Sequence, residues 1–235
     1  MKKGVFVLLV LLSCVFVAFA TSRVKTPNDS LDIPVDLRLS EKDLQKGNPV
    51  FMRIFKEEAV LELWMENKPG EGFALFHTYP ICYFSGELGS KTKEGDKQAP
   101  EGFYAVGKRQ LNPYSNYHKS FNLGYPNKYE RQKGYTGDYV MVHGSCVSIG
   151  CYAMTDRQIE EIYTLAEAAL NKGQAFFRVH IFPFRLTTEN LERHKDNKWR
   201  DFWLMMKPGY DSFEINRVPP NIEVENGRYI VKQER

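Results

Sequence analysis

Residues 143–151, with the sequence HGSCVSIGC, join a stretch typical of a β-strand to a stretch typical of an α-helix. The run before them, 137–142, is rich in β-forming residues, and the glycines near both ends of the motif favour a sharp turn. From Thr155 the sequence has the form of a capping box, and apolar residues then recur at helical spacing as far as residue 173. We therefore expect a strand, a turn and a helix, with His143 at the end of the strand.

The motif places a histidine and a cysteine close together. A thiolate is the reactive form of cysteine, and an imidazole can take the thiol proton and return it near neutral pH. We interpret Cys151 as the nucleophile of an acyl-transfer site and His143 as its general base and acid. Because Cys151 would lie just before a helix N-terminus, the helix dipole would favour the thiolate. The backbone N–H groups of Gly150 and Cys151 would form the oxyanion hole.

The first 20 residues have the features of a secretory signal peptide. Lys2 and Lys3 precede an apolar run over 5–19, and a small-x-small sequence at 18–20 precedes Thr21. An uncleaved membrane anchor is the alternative, although the run is short for a membrane span. Cleavage would remove both lysines and lower the formal net charge of +3 by two units. The mature chain would then have no basic patch that favours nucleic acid or anionic lipid.

Three cysteines would remain after Cys14 leaves with the signal peptide. In an oxidising compartment, an odd number often means one disulfide and one free thiol. If Cys151 is the nucleophile, Cys82 and Cys146 are left as a possible pair. Two buried free thiols are the alternative.

The rest of the chain has the length of one domain with additions. Residues 21–48 are polar and predict an N-terminal arm, and the domain itself starts near Pro49. The first half is mainly β, with strand-like runs separated by Gly, Pro and Asn at 50–55, 59–65, 73–84, 102–111 and 138–142.

The second half alternates between helices and strands. Residues 175–182 predict a buried strand in which His180 is structural. A second helix is expected over 188–206, ended by the Pro-Gly pair at 208–209. Asn226-Gly227 between alternating runs predicts a hairpin over 222–231.

Two loops, 86–102 and 112–137, are long enough to form lids or substrate walls beside the site. Solvated surface loops anchored by their aromatic residues are the alternative interpretation. The aromatic residues of the second loop are Tyr114, Tyr117, Phe121, Tyr125, Tyr129 and Tyr135.

Several segments resemble a known family. SGELG at 85–89, APEGFY at 99–104, and HG at 143–144 followed by SIGC at 148–151 are similar to the L,D-transpeptidase catalytic domain, or YkuD domain. The resemblance covers roughly 50–183. The extended motif HGSCVSIGCYAM and the segment KPGYD at 207–211 resemble the YafK-type branch of this family in particular.

The resemblance implies a mainly β (α+β) fold, a β-barrel or sandwich of mixed strands with flanking helices. The catalytic domain would span 49–184, followed by a C-terminal helix and β-hairpin extension over 185–235. The implied enzyme is exported to the periplasm, acts on peptidoglycan stem peptides, and needs no cofactor or metal. It attacks an amide made by the carboxyl of meso-diaminopimelate, forms a thioester, and passes the acyl group to an amine or to water.

Carried over to this sequence, the resemblance makes Cys151 the nucleophile, His143 the base and acid, and Gly150 part of the oxyanion turn. We also expect substrate contacts at four residues. These are Gly144, Ser148, Tyr152 and Arg131.

Two residues depart from the family signature. Ile149 stands where the family has a histidine, and Ala153 stands where it has an arginine. Without that arginine, a substrate carboxylate loses a fixed bidentate partner. The YafK-type branch resembles enzymes that release the outer-membrane lipoprotein from peptidoglycan by hydrolysing the bond between diaminopimelate and lysine. We therefore favour hydrolysis, with crosslinking or protein attachment by transpeptidation as the alternative.

Two other classes compete with an enzyme of this type. His143, Cys146 and Cys151 could be three metal ligands, although structural zinc normally has four protein ligands and the paired spacing is absent. A noncatalytic wall-binding module on the same fold is the second alternative.

Overall fold

The computed structural model describes residues 29–232, so the predicted signal peptide and Cys14 lie outside the described part of the chain. The strands are β1 (Val50–Phe55), β2 (Val60–Glu66), β3 (Phe73–Pro80), β4 (Tyr83–Phe84), β5 (Gly102–Gly107), β6 (Leu111–Ser115), β7 (His118–Asn122), β8 (Met141–His143), β9 (Tyr152–Ala153), β10 (Phe176–Phe182), β11 (Asn221–Glu225) and β12 (Arg228–Lys232). The helices are α1 (Val35–Ser40), α2 (Lys128–Gln132), α3 (Asp156–Asn171), α4 (Thr188–Arg193) and α5 (Arg200–Asn216), and short 3-10 turns lie at Asp29–Asp32 and Lys108–Gln110.

Between residues 29 and 232, the strands form two five-stranded sheets and one hairpin. The first sheet has the order β3-β2-β1-β10-β5, in which only β1 and β10 run parallel. The second has the order β4-β9-β8-β7-β6, in which only β8 and β9 run parallel. This mixed-strand α+β architecture with flanking helices confirms the predicted fold class.

The first sheet is buried on both faces. Side chains alternate along a strand, so Met52 and Ile54 of β1 face one side and Phe51 and Phe55 face the other. Met52 and Ile54 join a main core that includes inward residues of the second sheet and the apolar face of α3. Phe55 instead packs in a second cluster with residues of α4, α5 and the β11–β12 hairpin. The C-terminal segment therefore covers the outer face of the first sheet.

A buried ionic network connects this outer layer to the sheet. Arg53 of β1 is 2% exposed and donates to Glu62 of β2 at 2.7 Å and to Glu214 of α5 at 2.6 Å. Its guanidinium also lies 5.0 Å from the Trp64 ring and 4.7 Å from the Phe213 ring. Because each charge has a partner, the network is compatible with burial.

His180 has the structural role predicted for it. Its ring lies 4.8 Å from the ring of Phe51 and 4.7 Å from the ring of Phe103, both edge to face. Burial lowers the pKa of His180 well below its ordinary value, so the imidazole is neutral. It serves as a packing residue of the outer face.

The prediction of one continuous helix over 188–206 is wrong. The structure has a short α4, a break, and then α5, which continues through Pro208 to Asn216. Proline removes one hydrogen bond, to the carbonyl of Leu204, but both residues lie on the exposed side of the helix. Burial of the opposite side of α5, which carries Trp203, compensates for that loss.

The segment 112–137, predicted as a long loop, contains regular structure. It holds the rest of the β6–β7 hairpin and the helix α2. The prediction missed the hairpin because β6 is mostly exposed and polar, which leaves no alternation of apolar residues.

The segment 86–102 is irregular up to β5, as predicted, and a buried ion pair anchors it. Lys56 Nζ donates to the carbonyls of Glu87 and Gly89, both at 2.7 Å, and of Ala99 at 3.1 Å. It also lies 3.2 Å from Glu101 Oε1, and both side chains are fully buried. Burial lowers the pKa of Lys56, whereas the charge of Glu101 opposes that shift.

The part of the predicted N-terminal arm that the structure describes packs on the domain. Leu31, Leu39 and Leu44 are buried in the main core. Arg38 forms an ion pair with Glu161 of α3, whose carboxylate also accepts a hydrogen bond from Tyr79 at 2.6 Å. Residues 31–44 thus contribute to the same core as the sheets.

Candidate active site

The parallel pair β8–β9 places the predicted nucleophile and base on one face of the second sheet. Val142 is paired with Tyr152, and His143 with Ala153. Val142 and Tyr152 both belong to the main core. Because side chains alternate, His143 and Ala153 lie on the opposite face, and so does Cys151, two residues before Ala153. Strand pairing therefore brings the two reactive side chains to neighbouring positions.

The helix expected directly after Cys151 starts later than predicted. β9 intervenes, and α3 begins at Asp156. The capping box is confirmed, since the Thr155 side chain accepts from the N–H of Gln158 and the Gln158 side chain accepts from the N–H of Thr155. The nucleophile thus follows a turn between two strands, and activation of Cys151 by the helix dipole was a wrong expectation.

The sulfur of Cys151 contacts the backbone of the segment that leads into β8. Sγ accepts a hydrogen bond from the N–H of Met141 at 3.3 Å and lies 3.8 Å from the carbonyl oxygen of Tyr139. Burial raises the pKa of the Cys151 thiol, and the Met141 N–H and the charge of Lys91 oppose the shift. The resting residue is therefore a thiol that needs a base.

His143 is oriented by a backbone carbonyl. Its Nδ1 lies 2.7 Å from the carbonyl oxygen of Gly144, which can only accept, so Nδ1 carries the proton. Nε2 then keeps the lone pair that a general base uses. Burial lowers the pKa of His143, and the hydrogen bond to Gly144 opposes this shift. The imidazole is therefore neutral at neutral pH and ready to accept the thiol proton.

Gly144 supports His143 and has no room for a side chain. Its N–H donates to the carbonyls of Tyr117 at 3.0 Å and Lys119 at 3.2 Å. A Cβ at this position would lie 2.7 Å from Asp156 Oδ1 and 3.0 Å from the Tyr117 carbonyl oxygen. The structure therefore gives Gly144 a positioning contact, and its predicted contact with substrate stays a prediction.

The predicted oxyanion donors are occupied. Ser148 Oγ accepts the N–H groups of Gly150 at 3.1 Å and Cys151 at 2.7 Å, and it donates to the Cys151 carbonyl at 2.8 Å. Gly150 has a φ of +143°, a conformation that favours glycine. The Ser148 hydroxyl occupies both N–H groups in this structure, and their role as an oxyanion hole stays a prediction.

Two predicted substrate contacts lie elsewhere. Tyr152 is fully buried and donates to the Pro100 carbonyl at 2.7 Å, so it packs in the core and does not face a substrate. Arg131 lies on α2 and donates to the Pro126 carbonyl at the start of that helix. Within residues 29–232, no hydrogen bond or ion pair connects Arg131 with the Cys151 turn, and its role in binding stays a prediction.

Cys82 and Cys146 form a disulfide, with a Cα–Cα distance of 5.3 Å, and Cys151 is the free cysteine of the described residues. The Cys146 N–H also donates to the Met154 carbonyl at 3.2 Å. The disulfide therefore ties the turn after His143 to the residue just before β4, and the N–H of that residue, Cys82, donates to the Ala153 carbonyl of β9 at 2.9 Å. It also removes Cys146 from the metal-ligand alternative, which required three ligands in this turn.

Loss of this disulfide should lower the free energy of unfolding. The bridge closes a sequence separation of 64, and we expect Cys146→Ser to cost about 2–4 kcal/mol in denaturant unfolding. Thiol counting on denatured, unreduced protein that lacks residues 1–20 should find Cys151 alone. Three free thiols would contradict the bridge.

Comparisons with known proteins identify the family of this chain. The L,D-transpeptidase catalytic domain family, YkuD, matches residues 56–181. The putative L,D-transpeptidase YafK of Escherichia coli K12 is 51% identical over 187 residues, which cover 80% of this chain and 75% of the relative. The chain belongs to the L,D-transpeptidase family. Its enzymes are cysteine-dependent and act on peptidoglycan.

Two solved structures are more distant. The K307A mutant of the helical cell shape determining protein Pgp2 from Campylobacter jejuni is 20% identical, with a TM-score of 0.47, and the match covers 78% of this chain and 66% of Pgp2. Bd1075 from Bdellovibrio bacteriovorus is 18% identical, with a TM-score of 0.41, and the match covers 76% of this chain and 78% of Bd1075. Neither similarity contributes to the family assignment.

The two departures from the L,D-transpeptidase signature have different surroundings. Ala153 is fully buried in β9, where it is paired with His143. Ile149 is 83% exposed in the turn before Cys151. Ala153, at the position of the family arginine, therefore presents no charge to a substrate. Ile149, at the position of the family histidine, presents an apolar side chain to solvent.

The protonation states predict a broad pH optimum for this L,D-transpeptidase-family site. Below the pKa of His143 the imidazole is charged and cannot accept the thiol proton, and burial places this limb of kcat/KM below pH 6.5. Above the pKa of Cys151 the proton needed by the leaving amine is lost, which places the second limb above pH 9.0. Circular dichroism at both extremes would exclude unfolding. An acidic limb at or above 6.5 would contradict the buried, neutral imidazole.

Residues missed by the sequence analysis act mainly through their backbone. The N–H of Met141 and the carbonyl of Tyr117 hold Cys151 and Gly144, respectively. Both contacts use backbone groups that almost every residue type has, so the sequence contains no signal for them. Tyr117 was noted only among the aromatic residues of the segment 112–137.

Proposed function

We propose that this chain is an exported, periplasmic hydrolase of the L,D-transpeptidase family. Its substrate is the amide between the carboxyl of meso-diaminopimelate and a lysine amine. Cleavage of that bond would release an outer-membrane lipoprotein from peptidoglycan. Crosslinking of stem peptides, or attachment of a protein to them, is the second candidate, and the name of the 51% identical relative favours it.

The observation that carries the proposal is the neutral His143, fixed by Gly144, on the same face of the β8–β9 pair as the thiol of Cys151. In the first step, Sγ attacks the amide carbon while His143 Nε2 takes the thiol proton. The tetrahedral intermediate collapses, the C–N bond breaks, and the imidazolium returns the proton to the leaving lysine amine. In the second step, His143 takes a proton from water, the hydroxide attacks the thioester, and the C–S bond breaks as the imidazolium returns the proton to the cysteine sulfur. The products are a free carboxylate and a free amine.

The choice of acceptor rests on the position of Ala153. An arginine there would fix a carboxylate of a second stem peptide with two parallel hydrogen bonds. The buried methyl group of Ala153 offers no such contact. This favours water over a stem peptide as the acyl acceptor.

Location in the periplasm is supported by the signal-like sequence at 1–20 and by the Cys82–Cys146 bond, since disulfides persist in oxidising compartments. None of the helices between residues 29 and 232 is long and apolar enough to cross a membrane.

Purified protein incubated with lipoprotein-linked peptidoglycan tests the reaction, with products identified by mass. Hydrolysis should yield lipoprotein ending in a free lysine amine and stem peptides ending in a free carboxyl group. Incubation with stem peptides alone tests the crosslinking candidate. Cells with a deletion or with Cys151→Ala should hold more bound lipoprotein, with little change in direct crosslinks. Loss of those crosslinks with unchanged lipoprotein attachment would support the second candidate instead.

A noncatalytic wall-binding module predicts a different result from a thiol-directed probe. An enzyme of this type should be labelled at Cys151, and the label should be absent from Cys151→Ala. Binding of peptidoglycan at wild-type strength, with no product from either substrate, would identify the protein as a binding module.

A further inference from the structure

The β6–β7 hairpin places one aromatic side chain against the base of the site. The two strands pair at Ser115 and His118, so Asn116 and Tyr117 form the turn between them. The ring of Tyr117 lies 4.7 Å from the ring of His143, centroid to centroid, at an angle of 39°. His143 is only 2% exposed, whereas Tyr117 is 42% exposed. One side of the tyrosine therefore covers the imidazole, and the rest of the residue reaches solvent.

The same residue also contacts Gly144, the residue whose carbonyl orients the imidazole. The carbonyl of Tyr117 accepts the N–H of Gly144 at 3.0 Å, and the carbonyl of Gly144 accepts the Nδ1–H of His143 at 2.7 Å. The side chain of Tyr117 thus contacts the ring of His143. The backbone carbonyl of Tyr117 holds Gly144, the hydrogen-bond partner of that ring. The second contact survives any substitution of the side chain, so the two contributions can be separated.

We propose that Tyr117 is a positioning residue whose ring holds the imidazole of His143 in the orientation that proton transfer from Cys151 requires. A hydrogen bond at Nδ1 alone leaves the imidazole able to tilt about that bond. The tyrosine ring blocks the tilt on one face. Small displacements of a catalytic group have large effects on rate, because the reacting atoms must be aligned. The proposal rests on the proposed Cys151–His143 chemistry.

The charged groups of the neighbouring elements have partners other than His143, whereas the Tyr117 ring lies against the imidazole. His118 and Lys119 of β7 are both paired with Glu160 of α3, at 2.7 and 2.6 Å. Asp156 of α3 accepts the N–H of Ser145 at 2.7 Å. Cys151, across the strand pair, is a neutral thiol. Removal of the ring should therefore hydrate His143 and raise its pKa towards the ordinary value.

The experiment compares Tyr117→Ala and Tyr117→Phe with Tyr114→Ala as the matched control. Tyr114 lies on the same hairpin and is 92% exposed. Hydrolysis of the lipoprotein-linked amide gives kcat and KM for each variant. NMR titration of the histidine ring protons, assigned with a His143→Gln variant, gives the pKa of His143 without any substrate. Thermal unfolding shows whether each variant is folded.

Tyr117→Ala should lower kcat by about 10-fold or more, with KM within about 2-fold, and should raise the pKa of His143. Tyr117→Phe should restore both values, and Tyr114→Ala should change neither. A changed KM with unchanged kcat would make Tyr117 a substrate contact and overturn the proposal. An unchanged pKa of His143 in folded Tyr117→Ala would overturn it as well. If the wild-type protein hydrolyses no such amide, the proposed function fails, while the titration still decides whether the ring controls His143.

Discussion

Replacing Cys151 by alanine should abolish turnover and leave the fold intact. In the proposed mechanism the thiol forms the covalent bond to the substrate, so kcat should fall by about 10⁴-fold or more. His143→Ala should be nearly as severe, because the thiol, whose pKa is raised by burial, then has no base. Both rates are measured on lipoprotein-linked peptidoglycan.

The matched control is His194→Ala. His194 lies at the end of α4, where it bonds to Glu57 at 2.9 Å and stacks on Phe184, far along the chain from the Cys151 turn. It should retain activity close to wild type. Cys151 is not part of a buried cluster, so Cys151→Ala should unfold at nearly the wild-type temperature. Retention of more than a small fraction of activity in Cys151→Ala would exclude the thioester mechanism.

Replacing Lys56 by methionine should cause the largest loss of stability of any single change considered. The substitution leaves the fully buried Glu101 without its cation, and the carbonyls of Glu87, Gly89 and Ala99 each lose one of two side-chain donors, keeping the amide of Gln98. Removal of one partner of a buried ion pair typically costs about 3–5 kcal/mol. Urea unfolding of wild type and variant measures the difference in the free energy of unfolding.

Two further variants make the interpretation specific. Lys56→Met combined with Glu101→Gln removes the unpaired charge and should recover part of the loss. Lys68→Met breaks an ion pair whose side chains are 66% and 59% exposed, and it should change the stability by less than about 0.5 kcal/mol. Equal effects of Lys56→Met and Lys68→Met would show that burial of the pair contributes nothing.

The elements with strong local signals could be predicted from the sequence. The strand Val50–Phe55 has the predicted bounds because it is apolar except for Arg53, follows Asn48-Pro49 and ends at a run of charged residues. The hairpin around Asn226-Gly227 and the helix capped by Thr155 were predicted for similar reasons, since short-range chemistry fixes both. The placement of His143 and Cys151 around one turn was also predictable, because both belong to the short motif 143–151, and their roles as base and nucleophile stay predictions.

The remaining features of the site depend on contacts between distant segments. The hydrogen bond from Met141 to the sulfur and the contact of Tyr117 with His143 arise from strand register, which no local pattern specifies. The Ser148 hydroxyl fills the expected oxyanion donors because of the conformation of the turn. Pro208 was expected to end a helix, but tertiary burial of α5 prevailed over local propensity.

The core, and not the turn, holds β8 and β9 in register. The register pairs His143 with Ala153 and leaves Cys151 on the same face. A shift of β9 by one place would turn Cys151 towards the core and would move Tyr152, which is fully buried, out of it. The turn 144–150 can therefore differ in length as well as in sequence between proteins with a site of this kind, as long as Val142 and Tyr152 stay paired. A substitution that replaces Tyr152 by a polar residue would weaken this register even with every reactive residue present.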